Sequence, residues 1–236
     1  LGTKNLGVEI KVLKTLATEK AYLELLPRFE QASGHRVMTR YGGTVDVRNW
    51  LSGGEPFDLA IAASTVIDAF AASGAIVPGS RVDVATSGVG VAVRKGSAKP
   101  DISTSEAFKN VLLAAKSIGY STGPSGEHFL HLLERTGLTD RVRPKLEQIP
   151  AGGFVGTLVA NGAAEIGVQQ VSELATFPGV DYIGPLPGDL QMMTIFAGGI
   201  STAAQQPDAA RELVNFLAAP EAAATFRKFG LEPARR

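Results

Sequence analysis

The chain has 236 residues, 44% hydrophobic and 19% charged, with 23 basic against 23 acidic side chains and no cysteine. That length and composition suit a soluble globular protein with a sizeable core, in one large domain or two smaller lobes. Zero net charge without a lysine or arginine run argues against a nucleic-acid partner. The lack of Cys excludes disulfides, zinc-thiolate sites and cysteine nucleophiles. No apolar run is long enough to span a bilayer. The N-terminal LGTKNLGVEIKVL lacks the apolar core of a signal peptide, so an exported form would already have lost its leader.

VEIKVLK, from Val8 to Lys14, reads as a strand. Ala21, Tyr22, Leu25, Leu26 and Phe29 then mark one face of a helix, in which Pro27 predicts a kink or a break. HRVMTRY follows as a strand, TVDVRNWLSGG as a short helix with Val47, Trp50 and Leu51 on one side, FDLAIAA as a strand, and STVIDAFAASG as a helix ending at Gly74. This βαβαβα order implies a parallel sheet with helices on its faces. SGVGVAVRKG breaks the rhythm, a strand with no helix directly before it. Ser103 and Glu106 have capping-box spacing ahead of a helix. SIGYSTGPSGEHFLHLLERTG reads as strand, turn and helix, and KLEQIPAGGFVGTLVANG repeats that theme. AAEIGVQQ, VDYIGPLP and QMMTIFAGGIS are strands. Two helices close the chain, with Pro207 and Pro220 at first helical positions. The expected fold class is α/β: two Rossmann-like lobes joined by a two-segment hinge, with a ligand cleft between. Lobe 1 is discontinuous, 1–84 plus 191–236, and lobe 2 is 85–190.

Five strand-to-helix turns carry small or hydroxyl residues: Thr15 to Thr18, Gly42 to Thr44 with Gly43 between, Ala63-Ser64, Gly123 to Gly126 around Ser125, and Gly152-Gly153. The first turn of a helix has free N–H groups and a partial positive charge, which suits an anion. Taken singly, each is equally an ordinary turn or cap. Together they would share one edge of a parallel sheet, where ligands bind. Lys14, at the end of the first strand, offers a full positive charge there or is a solvated strand end. Gln169 and Gln170, ending a later strand, offer amide donors. Glu19 and His128 are the other titratable residues nearest this edge. His128 and His131 are three apart, but no third ligand has metal-site spacing, so no metal is expected. AGGFVG is not a dinucleotide fingerprint, because Ala151 replaces its first glycine. GPSG is not a nucleophile elbow, because Gly126 directly follows Ser125.

The order of IKVL and TLAT, RYGGT, GEPFDLAIAAS, GVGVAVRKG, IGYSTGPSG, LVANGAAEIGVQQVSEL and FLAAPEAAATFRKFGLEP resembles the type II periplasmic solute-binding proteins of ABC transporters. Within them it resembles the molybdate-binding-protein-like branch. The resemblance implies a periplasmic monomer without cofactor, two lobes closing on a small anionic ligand, and an ABC transporter membrane permease as partner. It carries contacts onto Thr15, Thr44, Ser125, Gly152 or Gly153, and Gln170. The branch's molybdate site has a small residue and a serine in its first turn. Here Lys14 and Thr15 stand near that place, with Ala17 at the serine position, and Gln170 stands where a molybdate binder has tyrosine. A lysine and glutamines suit an organic anion with carboxylates better than a tetrahedral oxyanion. The expectation is therefore a di- or tricarboxylate binder, with molybdate or another oxyanion as an alternative ligand. The same branch is similar to a periplasmic aconitate isomerase, so the other alternative is an enzyme shifting an allylic proton between cis- and trans-aconitate, with Lys14, Glu19 and His128 as its titratable groups.

Overall fold

The computed structural model describes residues 7–234, so the start of the segment read for a signal peptide lies outside the described residues. The strands are β1 (Glu9–Thr15), β2 (Arg36–Gly42), β3 (Leu59–Ala63), β4 (Val82–Arg94), β5 (Ile118–Tyr120), β6 (Leu146–Gln148), β7 (Ile166–Gln170), β8 (Val180–Pro185), β9 (Met193–Ile200) and β10 (Glu232–Pro233). The helices are α1 (Glu19–Ser33), α2 (Thr44–Ser52), α3 (Ser64–Ala72), α4 (Ser105–Ala114), α5 (Pro124–Arg135), α6 (Thr139–Val142), α7 (Val155–Ala160), α8 (Val171–Leu174), α9 (Pro207–Leu217) and α10 (Ala223–Lys228). The chain divides into two compact units. One runs up to Thr86 and resumes at Ile195, and the other is Ser87–Thr194. Both changes of unit fall inside strands, β4 and β9, a few residues beyond the expected 84/85 and 190/191.

In the first unit, β1 pairs in parallel with β2 on one side and β3 on the other, and β9 joins β3 antiparallel. The two-residue period of a strand sorts the side chains onto two faces. Ile10 and Val12 of β1, Leu59 and Ile61 of β3 and Val37 of β2 pack with α1, α9 and α10 through Tyr22, Leu25, Phe29, Leu213, Val214 and Phe226. Leu13, Ala60 and Ala62 point the other way, onto Val47 and Leu51 of α2 and Val66 and Ile67 of α3. The closing helices thus belong to the first unit's core, as the late strand QMMTIFAGGIS implied. Asp58 ties this return down. Its buried carboxylate accepts from the Lys11 amide at 2.8 Å and from the Gln205 and Gln206 amides at 2.8 and 2.9 Å, at the entry to α9.

In the second unit, β5 pairs in parallel with β6 and β7, and β4 is antiparallel to β7 and β8. Ile166 and Val168 face a core with Phe108, Leu112, Phe129 and Leu132 of α4 and α5. The opposite face holds Val155 and Val159 of α7 with Leu174 of α8.

Three expectations are corrected. α1 runs unbroken through Pro27, whose ring sits on the exposed side of the helix. The cap of α4 is Thr104, which accepts from the Ala107 amide at 3.1 Å, one residue later than Ser103. Pro220 opens a single 3-10 turn before α10 and not an α-helix. Among the described residues no helix is long and apolar enough to cross a membrane.

Candidate functional site

Because β1, β2 and β3 run parallel, their C-terminal ends lie along one edge of the first unit's sheet. Lys14, Thr15, Gly43, Thr44 and Ser64 all fall there. Lys14 is even-numbered on β1, like Ile10 and Val12, so it faces α1. The side chain is fully buried. Its ammonium donates to the Thr15 carbonyl at 2.8 Å and to Thr18 Oγ1 at 2.7 Å, and it lies 5.1 Å from the Tyr22 ring centroid and 6.0 Å from that of Tyr41. Lys14 is therefore no solvated strand end. A buried ammonium is tolerated where donors are matched and π faces surround it.

Tyr41 is in register with Lys14 on the neighbouring strand. Burial raises its phenol pKa, an effect opposed by hydrogen bonding to Thr39 and reinforced by the negative charge of Glu19. Tyr22 hydrogen-bonds Thr39 at 2.7 Å, and its pKa is raised further by burial. Glu19 is half-buried at the start of α1, directly after Thr18. Thr15 is buried, with Oγ1 3.5 Å from the Ile61 carbonyl. The Gly43 amide donates to Asp46 Oδ2 at 2.8 Å, which fixes the first turn of α2 and leaves Thr44 buried behind it. Ser64, half-buried, opens α3.

The second unit repeats the arrangement with β5, β6 and β7. Ser125 is buried, and its hydroxyl lies 3.1 Å from that of Ser121. Gly126 is glycine for a packing reason: a Cβ there would lie 1.8 Å from the Ser121 carbonyl oxygen. Its amide, expected to be bare, donates to the Gly123 carbonyl at 2.9 Å, as does that of Glu127 at 3.0 Å. Gly152 has φ of 76° and occupies the third position of a turn closed by the Gly153 amide on the Pro150 carbonyl at 3.0 Å. The glycine pair therefore serves the turn before α7. Gln169 is also committed internally, accepting the Val155 amide at 2.8 Å. Gln170 is buried. The orientation that satisfies both ends of its amide has the oxygen accepting from Thr194 Oγ1 at 2.9 Å and the nitrogen donating to the Ser87 and Gly88 carbonyls at 3.1 Å. Close by, the Ser172 amide donates to Ser87 Oγ at 3.3 Å, and the buried Ser172 hydroxyl has no hydrogen-bond partner among the described residues.

His128 lies on α5 in the second unit. Its Nε2 is 2.8 Å from the Leu190 carbonyl. A carbonyl only accepts, so Nε2 carries the proton and a neutral ring keeps Nδ1 as acceptor. Lys14 and Glu19 belong to one unit and His128 to the other. Among the described residues no group of three His, Asp or Glu side chains is placed to hold a metal ion. Tyr41, Ser121 and Ser172 escaped the sequence reading. Strand alternation carried across from Lys14 would have found Tyr41, whereas the Ser121–Ser125 pair depends on how the GPSG turn folds back.

The model of the bacterial extracellular solute-binding protein family matches residues 10–232. An aconitate isomerase from Pseudomonas sp is 38% identical over 216 residues, 89% of this chain and 82% of that protein. The molybdate-binding protein ModA of Azotobacter vinelandii is 28% identical over 219 residues, 88% of this chain and 83% of that one. The solved periplasmic molybdate-binding protein of Azotobacter vinelandii superposes with a TM-score of 0.80 at 21% identity, over 96% of this chain and all of that chain. With strand-end turns repeated in two α/β units and a family match over nearly its whole length, the chain belongs to the bacterial extracellular solute-binding proteins, with the type II periplasmic fold.

Proposed function

We propose that this chain is a periplasmic solute-binding protein that captures a small di- or tricarboxylate and delivers it to an ABC transporter permease. The observation that carries this reading is the buried Lys14 ammonium at the strand-end edge, held by Thr15 and Thr18. A fixed cation in a site of low dielectric attracts a carboxylate more strongly than a neutral donor does, and it disfavours ligands that cannot place charge beside it. Ser125 supplies a neutral hydroxyl donor of the kind an oxyanion accepts.

A second reading has its own support, the 38% identity to a protein named aconitate isomerase. On this reading a base removes an allylic proton from the tricarboxylate, the double bond shifts, and a proton returns at the other carbon, with no co-reactant. Lys14 holds the charge that develops, and Glu19, which opens α1 directly after the Thr18 that Lys14 contacts, is the candidate base.

The test is a melting-temperature panel with citrate, cis-aconitate, trans-aconitate and molybdate, followed by NMR of either aconitate isomer incubated with the protein. Ligand binding to the folded state alone adds about 2.7 kcal/mol at a hundred times its dissociation constant. Stabilisation by the carboxylates without isomer conversion supports the binder, and conversion supports the enzyme. Strong stabilisation by molybdate with none by the carboxylates overturns both.

A further inference from the structure

A groove of about 600 Å³ opens on the second unit, lined by residues from the end of β4, the end of α4 and the starts of β5 and β7. It lies at the other end of these strands from Ser125 and Gln170. Ile166 begins β7 and Gln170 ends it, about 13 Å away at strand rise. The volume falls within the range of small-molecule sites.

The buried part of the lining, its floor, is apolar and made of Ala115, Ala164 and Ile166, with half-buried Val111 and exposed Ala98 also on the wall. The rim is basic. Arg94, Lys99 and Lys116 stand around it against a single acid, Glu165. That acid is already engaged, since Glu165 Oε2 accepts the Lys116 backbone amide at 2.7 Å. Lys99 reaches Asp181 at 3.7 Å and is 61% exposed, a loose surface pair. Neither the Arg94 guanidinium nor the Lys116 ammonium has a hydrogen-bond or ion-pair partner among the described residues. Arg94 also has a defined direction. Its Nη1 lies 3.7 Å from where a Cβ on Gly162 would stand, so the guanidinium reaches over Gly162 at the groove wall.

We propose that this groove is a binding site for a small amphipathic anion, an apolar body of about ring size carrying one carboxylate, sulfonate or phosphate, with Arg94 and Lys116 as its charge partners. The apolar floor takes the body, and Arg94 offers the planar fork that matches such a head group. The site is independent of the strand-end residues, so its occupant does not compete with a tricarboxylate bound there.

Naphthalene-2-sulfonate is a suitable probe, titrated into 15N-labelled protein with and without saturating trans-aconitate, with uncharged 2-naphthalenemethanol as the control. The expected result is saturable shifts on the amides of Arg94, Lys116, Gly162 and Glu165, unchanged by trans-aconitate, with the neutral control at least about tenfold weaker. Arg94→Glu with Lys116→Glu, both on exposed side chains, should weaken the probe by a further tenfold or more while the melting temperature holds. Ala114→Trp, which fills the groove with no change of charge, should abolish binding as well. Scattered, non-saturating shifts in the wild type, or equal affinity in both variants, would overturn the proposal.

Discussion

Lys14 is the residue on which most of the proposed site chemistry turns. A lysine with no exposed surface ordinarily loses its charge or acquires partners, and here the partners come from the chain's own turn. Strand alternation sets this environment, because Lys14, Thr39 and Tyr41 share the face that receives Tyr22. The tyrosines give a pH test. Burial raises the phenol pKa of Tyr22, Tyr41 and Tyr182 above the ordinary tyrosine value of about 10. A raised folded-state pKa means that the stability they contribute is complete below pH 10 and is lost as pH climbs towards the folded values, because the unfolded chain ionises first. Absorbance at 295 nm should therefore show these tyrosines ionising late, and thermal stability should fall steeply above about pH 10. Tyr22→Phe should flatten part of that fall. Early ionisation of all the tyrosines with no loss of stability would contradict the packing around Lys14.

At the scale of elements, two contacts decide whether the turns stand where the sheet edge needs them. Asp58, ahead of β3, holds amides of β1 and of the entry to α9 with one buried carboxylate. Asp58→Ala leaves three donors without that acceptor, and an unsatisfied buried group costs about 1–3 kcal/mol. The expected loss in chemical denaturation is at least about 3 kcal/mol, with protease sensitivity appearing first near Gln205. A loss under about 1 kcal/mol would show that solvent replaces the carboxylate. The second contact is Gly126 against the Ser121 carbonyl. Gly126→Ala must move the β5–α5 turn and should separate the Ser121 and Ser125 hydroxyls, weakening anion binding more than it lowers the melting temperature. The sequence revealed these turns because glycine and hydroxyl residues after β-branched runs have few other uses. It did not reveal what the side chains at the turns were already bonded to. Gln169 caps α7 and Gln170 bridges Ser87, Gly88 and Thr194, and those partners are remote in the chain. For the same reason Pro27 read as a kink or a break, whereas packing of Tyr22, Leu25 and Phe29 on the sheet carries α1 through it as one helix.

For the whole molecule, the αβ alternation and its interruption at SGVGVAV were legible, and the chain passes between its two compact units inside β4 and β9. Each unit has its own pair of hydrophobic clusters, one on each sheet face, so each strand-end edge is set by a separate core. On the proposed function, what the chain binds is a matter of charge at those edges. The most direct test is isothermal titration of trans-aconitate and of molybdate into the wild type and into Lys14→Met. The account predicts a saturable heat with trans-aconitate, a weaker response to molybdate, and a tenfold to hundredfold loss of aconitate affinity in Lys14→Met, as expected when a charge-assisted hydrogen bond worth about 1.5–3 kcal/mol is removed. Tight molybdate binding without any for trans-aconitate, or equal aconitate affinity in the two proteins, would contradict it.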